Sequence, residues 1–225
     1  MAWSEWIRTV EVEPSLYAAD FSILGEQIET LMRAGTRIFH FDVGDGHFVE
    51  PVTIGPIVLQ SISPLVHRFD GAIDVHLMVE NPAKYFETVA EAGGDSVTFH
   101  YEAADDVAAT IRAAREHELE VGVAFNPETE PDEVAASVGD ADLVLCMGIH
   151  PGYSGQPFMP ETLDRVRRVR ERLPDRVHVQ VDGGVGADNI RSIREAGADL
   201  FVAGSSIFAR EDLPRAYRHL VQALA

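Results

Sequence analysis

Val177-His178-Val179-Gln180-Val181-Asp182-Gly183-Gly184 is the stretch on which the fold turns. Successive side chains of a strand point to opposite faces, so the three valines share one face and His178, Gln180 and Asp182 share the other. Ser96-Val97-Thr98-Phe99-His100 divides in the same way. In a barrel of parallel strands the apolar face packs under helices while the other face points inward, carrying polar groups toward the C-terminal mouth. Working outward, similar runs recur at Glu11–Leu16, Arg37–Val43, Ala72–Val79, Glu120–Asn126, Leu143–Ile149 and Leu200–Gly204. Helical periodicity separates most of them, as in Ser22–Ala34, Pro82–Ala92, Asp105–Glu116, Pro160–Arg172 and Asp188–Ala196. Three of these end alike, at Ala34-Gly35, Ala92-Gly93 and Ala196-Gly197, where glycine supplies a left-handed cap. Eight strands each followed by a helix predict an α/β protein, a single (β/α)8 TIM barrel spanning residues 1–225. A doubly wound open sheet is the alternative, since strand order cannot be read from sequence.

Composition narrows the function. The chain holds 37 acidic and 18 basic residues, a net charge of −19 at pH 7. That charge repels nucleic acid phosphates. The one basic cluster, Arg165, Arg167, Arg168, Arg170 and Arg172, reads as the wet face of a helix. Cys146 is the only cysteine, so no internal disulfide is possible. Lys84 is the only lysine and sits at a helix start, which argues against Schiff-base chemistry. Met1 to Thr9 shows no signal-peptide pattern and no apolar run is long enough to span a membrane; the expectation is a cytoplasmic protein without membrane or nucleic acid partners.

The strand ends carry the chemistry. His40 and Asp42 lie two apart on the second strand, His76 and Met78 on the third, and Asp182 closes the seventh. If these faces all point inward, His40, Asp42, His76 and Asp182 meet at one rim. Two imidazoles and two carboxylates suit a borderline divalent metal such as Zn, Mn, Fe or Co. A lone strand histidine is more often a hydrogen-bonded core residue; four such groups in one mouth point to a site. Asp42 and Asp182 can also remove a proton from one face of a substrate and return it to the other, with a metal stabilising an enediolate oxygen. Against that stands the simpler possibility that both aspartates cap the following turns. A second cluster, Pro151 to Gln156, Gly183-Gly184 and Gly204-Ser205-Ser206, follows the last three strands. Barrels commonly bind phosphate there through backbone N–H groups.

These residues resemble the ribulose-phosphate 3-epimerase family almost end to end. The matching stretches are Pro14-Ser15-Leu16, Ala19-Asp20-Phe21, Asp45-Gly46-His47-Phe48-Val49, Thr53-Ile54-Gly55-Pro56 and Asp74 to Val79. They continue with Asn126-Pro127-Glu128-Thr129, Pro151-Gly152 to Gln156-Pro157-Phe158, Val181 to Gly184 and Gly204 to Phe208. The resemblance implies a barrel of the ribulose-phosphate-binding type that inverts C3 between D-ribulose 5-phosphate and D-xylulose 5-phosphate. It implies that His40, Asp42, His76 and Asp182 hold one divalent metal and that Asp42 and Asp182 are the acid/base pair. It further implies substrate contacts from Ser15, Met78 and Met147, a phosphate cradle of Gly183, Gly184, Gly204 and Ser205, and a closing loop with Gly152 and Gly155. The partner implied is a small sugar phosphate, and the family habit is a homo-oligomer.

Three departures bear on the substrate. The family usually has methionine where Gly44 stands, which is expected to leave space beside the reacting carbons. Gly148 replaces a serine, and His150 replaces an asparagine and is expected to bring a titratable ring near the mouth. These motivate a second possibility, another ketose phosphate or another carbon. Barrel decarboxylases of phosphorylated substrates are disfavoured because their lysine position is Gly44. A non-catalytic sugar-phosphate binder is disfavoured by retention of all four metal-site residues.

Overall fold

The alternation in the eight runs becomes two faces of one sheet. In a computed structural model describing residues 3–224, the strands are β1 (Glu11–Pro14), β2 (Ile38–Gly44), β3 (Ala72–Met78), β4 (Ser96–His100), β5 (Glu120–Phe125), β6 (Leu143–Met147), β7 (His178–Asp182) and β8 (Leu200–Ala203). All pair in parallel in the order β1-β8-β7-β6-β5-β4-β3-β2, and a parallel bridge between Ser15 and His40 brings β1 to β2. The fold is therefore a single-domain (β/α)8 barrel. The sequence-predicted strands run one or two residues past most of the observed ends.

The helices are α1 (Trp3–Trp6), α2 (Leu24–Ala34), α3 (Pro56–His67), α4 (Phe86–Glu91), α5 (Val107–Arg115), α6 (Pro131–Ser137), α7 (Thr162–Arg172), α8 (Ile190–Ala196), α9 (Ser205–Phe208) and α10 (Leu213–Ala223). Gly35 and Gly197 cap α2 and α8 in the left-handed conformation, as the sequence suggests. The stretch predicted as one helix over Pro82–Ala92 is a 3-10 turn, Pro82–Tyr85, followed by α4. Among the described residues no helix is long and apolar enough to cross a membrane.

The outward face is the main core. Phe39, Phe41, Val75, Phe99, Val123, Val181 and Phe201 are buried against the helices. Each such side chain contributes about 1.5–3 kcal/mol of burial. Cys146 lies in this layer, fully buried, and burial pushes its thiol up to about 12, so it is inert. Met147, one residue on, points the other way and packs with Ala124, Leu145 and Ile149.

The inward face is stacked in levels. At the N-terminal end Ile38, Ala72, Leu143 and Leu200 pack against Trp3 and Trp6, whose rings meet edge to face at 5.0 Å. Above them sit Glu13, Asp74, Ser96, Thr98 and Gln180, all buried. Glycine is needed at position 122 on this level, because a Cβ there would lie 2.8 Å from Leu143 Cδ2 and closer still to Thr98 Oγ1. The third level is the mouth.

Candidate active site

Strand register places the mouth residues side by side. Asp42 on β2 pairs with His76 on β3, His40 with Asp74, and Met147 on β6 with Asp182 on β7. Asp42 Oδ1 lies 3.1 Å from His76 Nδ1 and 3.3 Å from His40 Nε2, while its Oδ2 accepts a 2.6 Å hydrogen bond from Ser15 Oγ. Asp182 Oδ2 is 3.8 Å from His76 Nδ1. Asp42 is thus engaged by side chains rather than capping the turn after its strand. Turn capping falls to Asp45, whose carboxylate accepts from the backbone N–H groups of His47, Phe48 and Glu80, each at 2.8 Å.

One ligand atom from each of His40, Asp42, His76 and Asp182 can be chosen so that all four lie within 4.8 Å of one another. Both ring nitrogens of His40 are buried without an aligned hydrogen bond, although Asp42 and Asp74 oxygens stand 3.3 and 3.2 Å away. An imidazole nitrogen left without a hydrogen bond among carboxylates, in a two-nitrogen, two-oxygen donor set, fits a divalent cation. A second grouping, Glu13, His40 and Asp74, lies one level deeper. Asp74 is already satisfied there by Ser96 Oγ at 2.7 Å, Thr98 Oγ1 at 3.1 Å and Gln180 Nε2 at 3.2 Å. That trio reads as support beneath His40.

Burial works against the charge of Asp42, but His40 and His76 outweigh it and hold the carboxyl well below the usual range. Asp182 has the opposite fate: burial first, then the Asp42 charge, pushes it up to about 7. Burial disfavours protonated His40 as well, yet the carboxylates around it, Asp42 foremost, raise it well above an ordinary imidazole. Two carboxyls in one mouth are thus driven apart, one firmly ionised and the other able to carry a proton.

A cavity of about 1430 Å³ opens over this cluster. Ser15, Asp42, Met78, Met147 and Asp182 line its floor, and Gly152, Gly155, Gly183, Gly184, Gly204 and Ser205 line its wall. His40 and His76 lie just beneath, fully buried. Gly184 has φ +68°, and a Cβ on it would fall 2.6 Å from Phe158 N, so only glycine lets the loop after β6 lie over the loop after β7. Ser206 Oγ, also on the wall, is buried without a partner.

Three expectations are corrected. Gly44 leaves no gap beside the site, because a Cβ there would meet Pro51 O and Val49 Cγ2 at 2.9 Å. The loop after β2 folds onto the glycine, with Gly44 N donating to Thr53 Oγ1 at 2.6 Å. His150 sits at the rim between the lining residues Ile149 and Pro151 but does not itself line the cavity; its exposed ring meets Glu128 at 2.5 Å. The arginines of α7 are not all wet: Arg165 is buried, donating to Pro127 O, Met147 O and Thr162 Oγ1 at 2.7, 2.9 and 2.6 Å. Arg168 and Arg172 are paired with Glu130 and Asp132. At Gly148 a Cβ would run into Gly183 O, so the approach of the β6 and β7 loops leaves no room for the serine side chain. Sequence reasoning also passed over His100 and Glu102, although His100 shares the inward period of Ser96 and Thr98. His100 is fully buried, and burial pushes it down to about 4.

A parallel barrel with a two-histidine, two-aspartate cluster under a glycine-lined cavity at the C-terminal ends of its strands has the layout of a (β/α)8 enzyme. The profile of the Ribulose-phosphate 3 epimerase family matches residues 11–208. The chain is 41% identical over 224 residues to "Ribulose-phosphate 3-epimerase 2" of Cupriavidus necator, covering 96% of this chain and 92% of that one. It is 39% identical to "Ribulose-phosphate 3-epimerase" of Escherichia coli K12, covering 95% and 96%. Among solved structures, 3-hexulose-6-phosphate synthase from Salmonella typhimurium superposes with a TM-score of 0.72 at 16% identity, covering 95% and 98%, which is a likeness of fold alone. The chain belongs to the ribulose-phosphate 3-epimerase family.

Proposed function

We propose that this chain interconverts D-ribulose 5-phosphate and D-xylulose 5-phosphate by inverting C3. The observation that carries the reading is the pair Asp42 and Asp182, two carboxyls on the floor of one cavity beside His40 and His76. One aspartate takes the proton from C3 and the electron pair moves toward the C2 carbonyl, giving an enediolate. The other delivers a proton to C3 from the opposite face, so the configuration inverts and no net proton is consumed. Ser15 Oγ, bonded to Asp42, orients that carboxylate. Met78 and Met147 keep water from the reacting carbons, and the glycines after β6, β7 and β8 with Ser205 take the phosphate. His40, Asp42, His76 and Asp182 would hold one divalent ion, Zn, Mn, Fe or Co, which when bound lowers the cost of negative charge on the enediolate oxygens.

Gly44 and His150 no longer favour a different sugar, since the first is covered by its own loop and the second lies outside the cavity. The partner is a small sugar phosphate, and the family habit supports a cytoplasmic homo-oligomer, a state that sedimentation analysis would test. The metal is identified by elemental analysis of purified protein. The activity is tested by NMR with D-ribulose 5-phosphate in deuterated water. Xylulose 5-phosphate carrying deuterium at C3 is expected; no exchange at C3 in metal-loaded protein would overturn the reading.

A further inference from the structure

His76 faces two ways. Its Nδ1 is turned toward Asp42 and Asp182, and its Nε2 lies 2.9 Å from Nε2 of His100. Two imidazole nitrogens at that distance share one hydrogen, and the next contact decides which ring owns it. His100 Nδ1 stands 3.3 Å from Glu102 Oε2. A carboxylate only accepts, so His100 carries its proton on Nδ1 and offers a bare Nε2. With a cation rather than a proton between His76 Nδ1 and the Asp42 carboxylate 3.1 Å away, His76 then carries its own proton on Nε2 and keeps its Nδ1 lone pair for the ion.

Glu102 is itself held. Its Oε1 accepts from Asn126 N at 2.8 Å and from Thr129 Oγ1, tying the end of β4 to the loop after β5. Burial works against the Glu102 charge, but the hydrogen bonds from His100, Thr129 and Asn126 hold its carboxyl below the ordinary range. Phe48, from the loop after β2, lays its ring 4.7 Å from that of His100. The His76–His100 contact is thus roofed by an aromatic ring, and both imidazoles are fully buried.

We propose that His100 and Glu102 are positioning residues of the metal centre, a relay that locks His76 in the tautomer with Nδ1 free to bind the ion. The proposal rests on the metal reading above. The two histidines of the centre are then oriented by different means. His40 has a carboxylate, Asp74, directly behind it; His76 has an imidazole behind it and the carboxylate one step further out.

The test uses full-length protein loaded with Zn(II), with affinity read by chelator competition and the His76 tautomer read from long-range 15N–1H spectra. Wild type is expected to show metal-bound Nδ1 and protonated Nε2. Glu102→Leu removes the acceptor and is expected to weaken zinc binding by about 10–100-fold, with loss of the single His76 tautomer. Glu102→Gln keeps an acceptor for His100 and is expected to restore the tautomer and most of the affinity. His100→Gln, whose amide oxygen can accept from His76, should fall between them. The relay is wrong if Glu102→Leu, folded, keeps wild-type affinity and tautomer, or if wild type binds zinc with His76 protonated on Nδ1. Wild type that binds no zinc would instead sink the metal reading, and the relay with it.

Discussion

The two ends of the barrel interior are built from the same strands on the same face, yet they obey different physics. Ile38 and Asp42 are four residues apart on β2, as are Leu143 and Met147 on β6. At the N-terminal end Ile38, Ala72, Leu143 and Leu200 form an apolar set against Trp3 and Trp6, so stability in that set follows area and volume. At the mouth His40, Asp42, His76, His100 and Asp182 are polar, and the energy of each depends on which partner it finds. A floor of the first kind tolerates any side chain of the right size. A mouth of the second kind tolerates almost none, because each change strands a buried partner.

Substitutions of Asp42 and Asp182 would break the contrast most sharply. Asp42→Asn and Asp182→Asn are each expected to lower kcat by about 10²–10⁴-fold, the range for removal of a proton-transfer group. Thermal unfolding of the same variants should also shift, by the cost of a stranded buried partner, about 1–3 kcal/mol. Near-normal turnover in either would end the two-carboxylate mechanism.

The floor should behave in reverse. Trp6→Ala is expected to cost about 3–5 kcal/mol of stability, measured by urea unfolding, with kcat per folded molecule unchanged. Both indole N–H groups there are buried without a hydrogen-bond partner, so Trp6→Phe removes an unsatisfied donor along with some volume. Its cost should therefore stay within about 1.5 kcal/mol. Loss of activity beyond loss of folding in either variant would show that the two ends are coupled.

Arg165 lies between these regimes. It is a buried cation whose three acceptors belong to the loop after β5, the end of β6 and α7. Arg165→Met keeps much of the volume but strands Pro127 O and Met147 O, at about 1–3 kcal/mol in all. Since Met147 lines the cavity floor, the expected kinetic signature is a raised KM with a smaller change in kcat. A change in stability with unaltered kinetics would assign Arg165 to the scaffold alone.

How far the sequence foretold this molecule follows the same division. Strict alternation, as in 177–182, made the barrel and its inward set legible, because period two leaves little choice of face. His40, Asp42, His76 and Asp182 could be placed together for the same reason. The N-terminal floor was not legible, since a four-residue helix has no periodicity and its role depends on residues far along the chain. Arg165 misled because its charge suggested water, although it falls on the buried stripe of Thr162, Val166 and Val169. Gly44 misled differently: a missing side chain says what has gone, and only tertiary structure says that Val49 and Pro51 have filled the place.

The smallest expected effect concerns the rim. Burial works against the Asp45 charge, but backbone N–H groups of Glu80, His47 and Phe48 outweigh it and hold the carboxyl below its ordinary value. A carboxyl depressed in the folded state adds stability that is present above its unfolded pKa, about 3.9, and is lost as pH falls through the lower folded value. Asp45→Asn keeps an acceptor oxygen but not the charge, and the group is partly exposed to screening solvent. Its cost should be a few tenths of a kcal/mol to about 1 kcal/mol at neutral pH. The difference from wild type, followed by urea unfolding at descending pH, should shrink below pH about 4 as wild-type Asp45 takes up its own proton. A difference that persisted unchanged into acid would mean that geometry, not charge, pins the loop. Because Phe48 on that loop roofs His100, the same variant should loosen the relay slightly without touching any residue on the cavity floor.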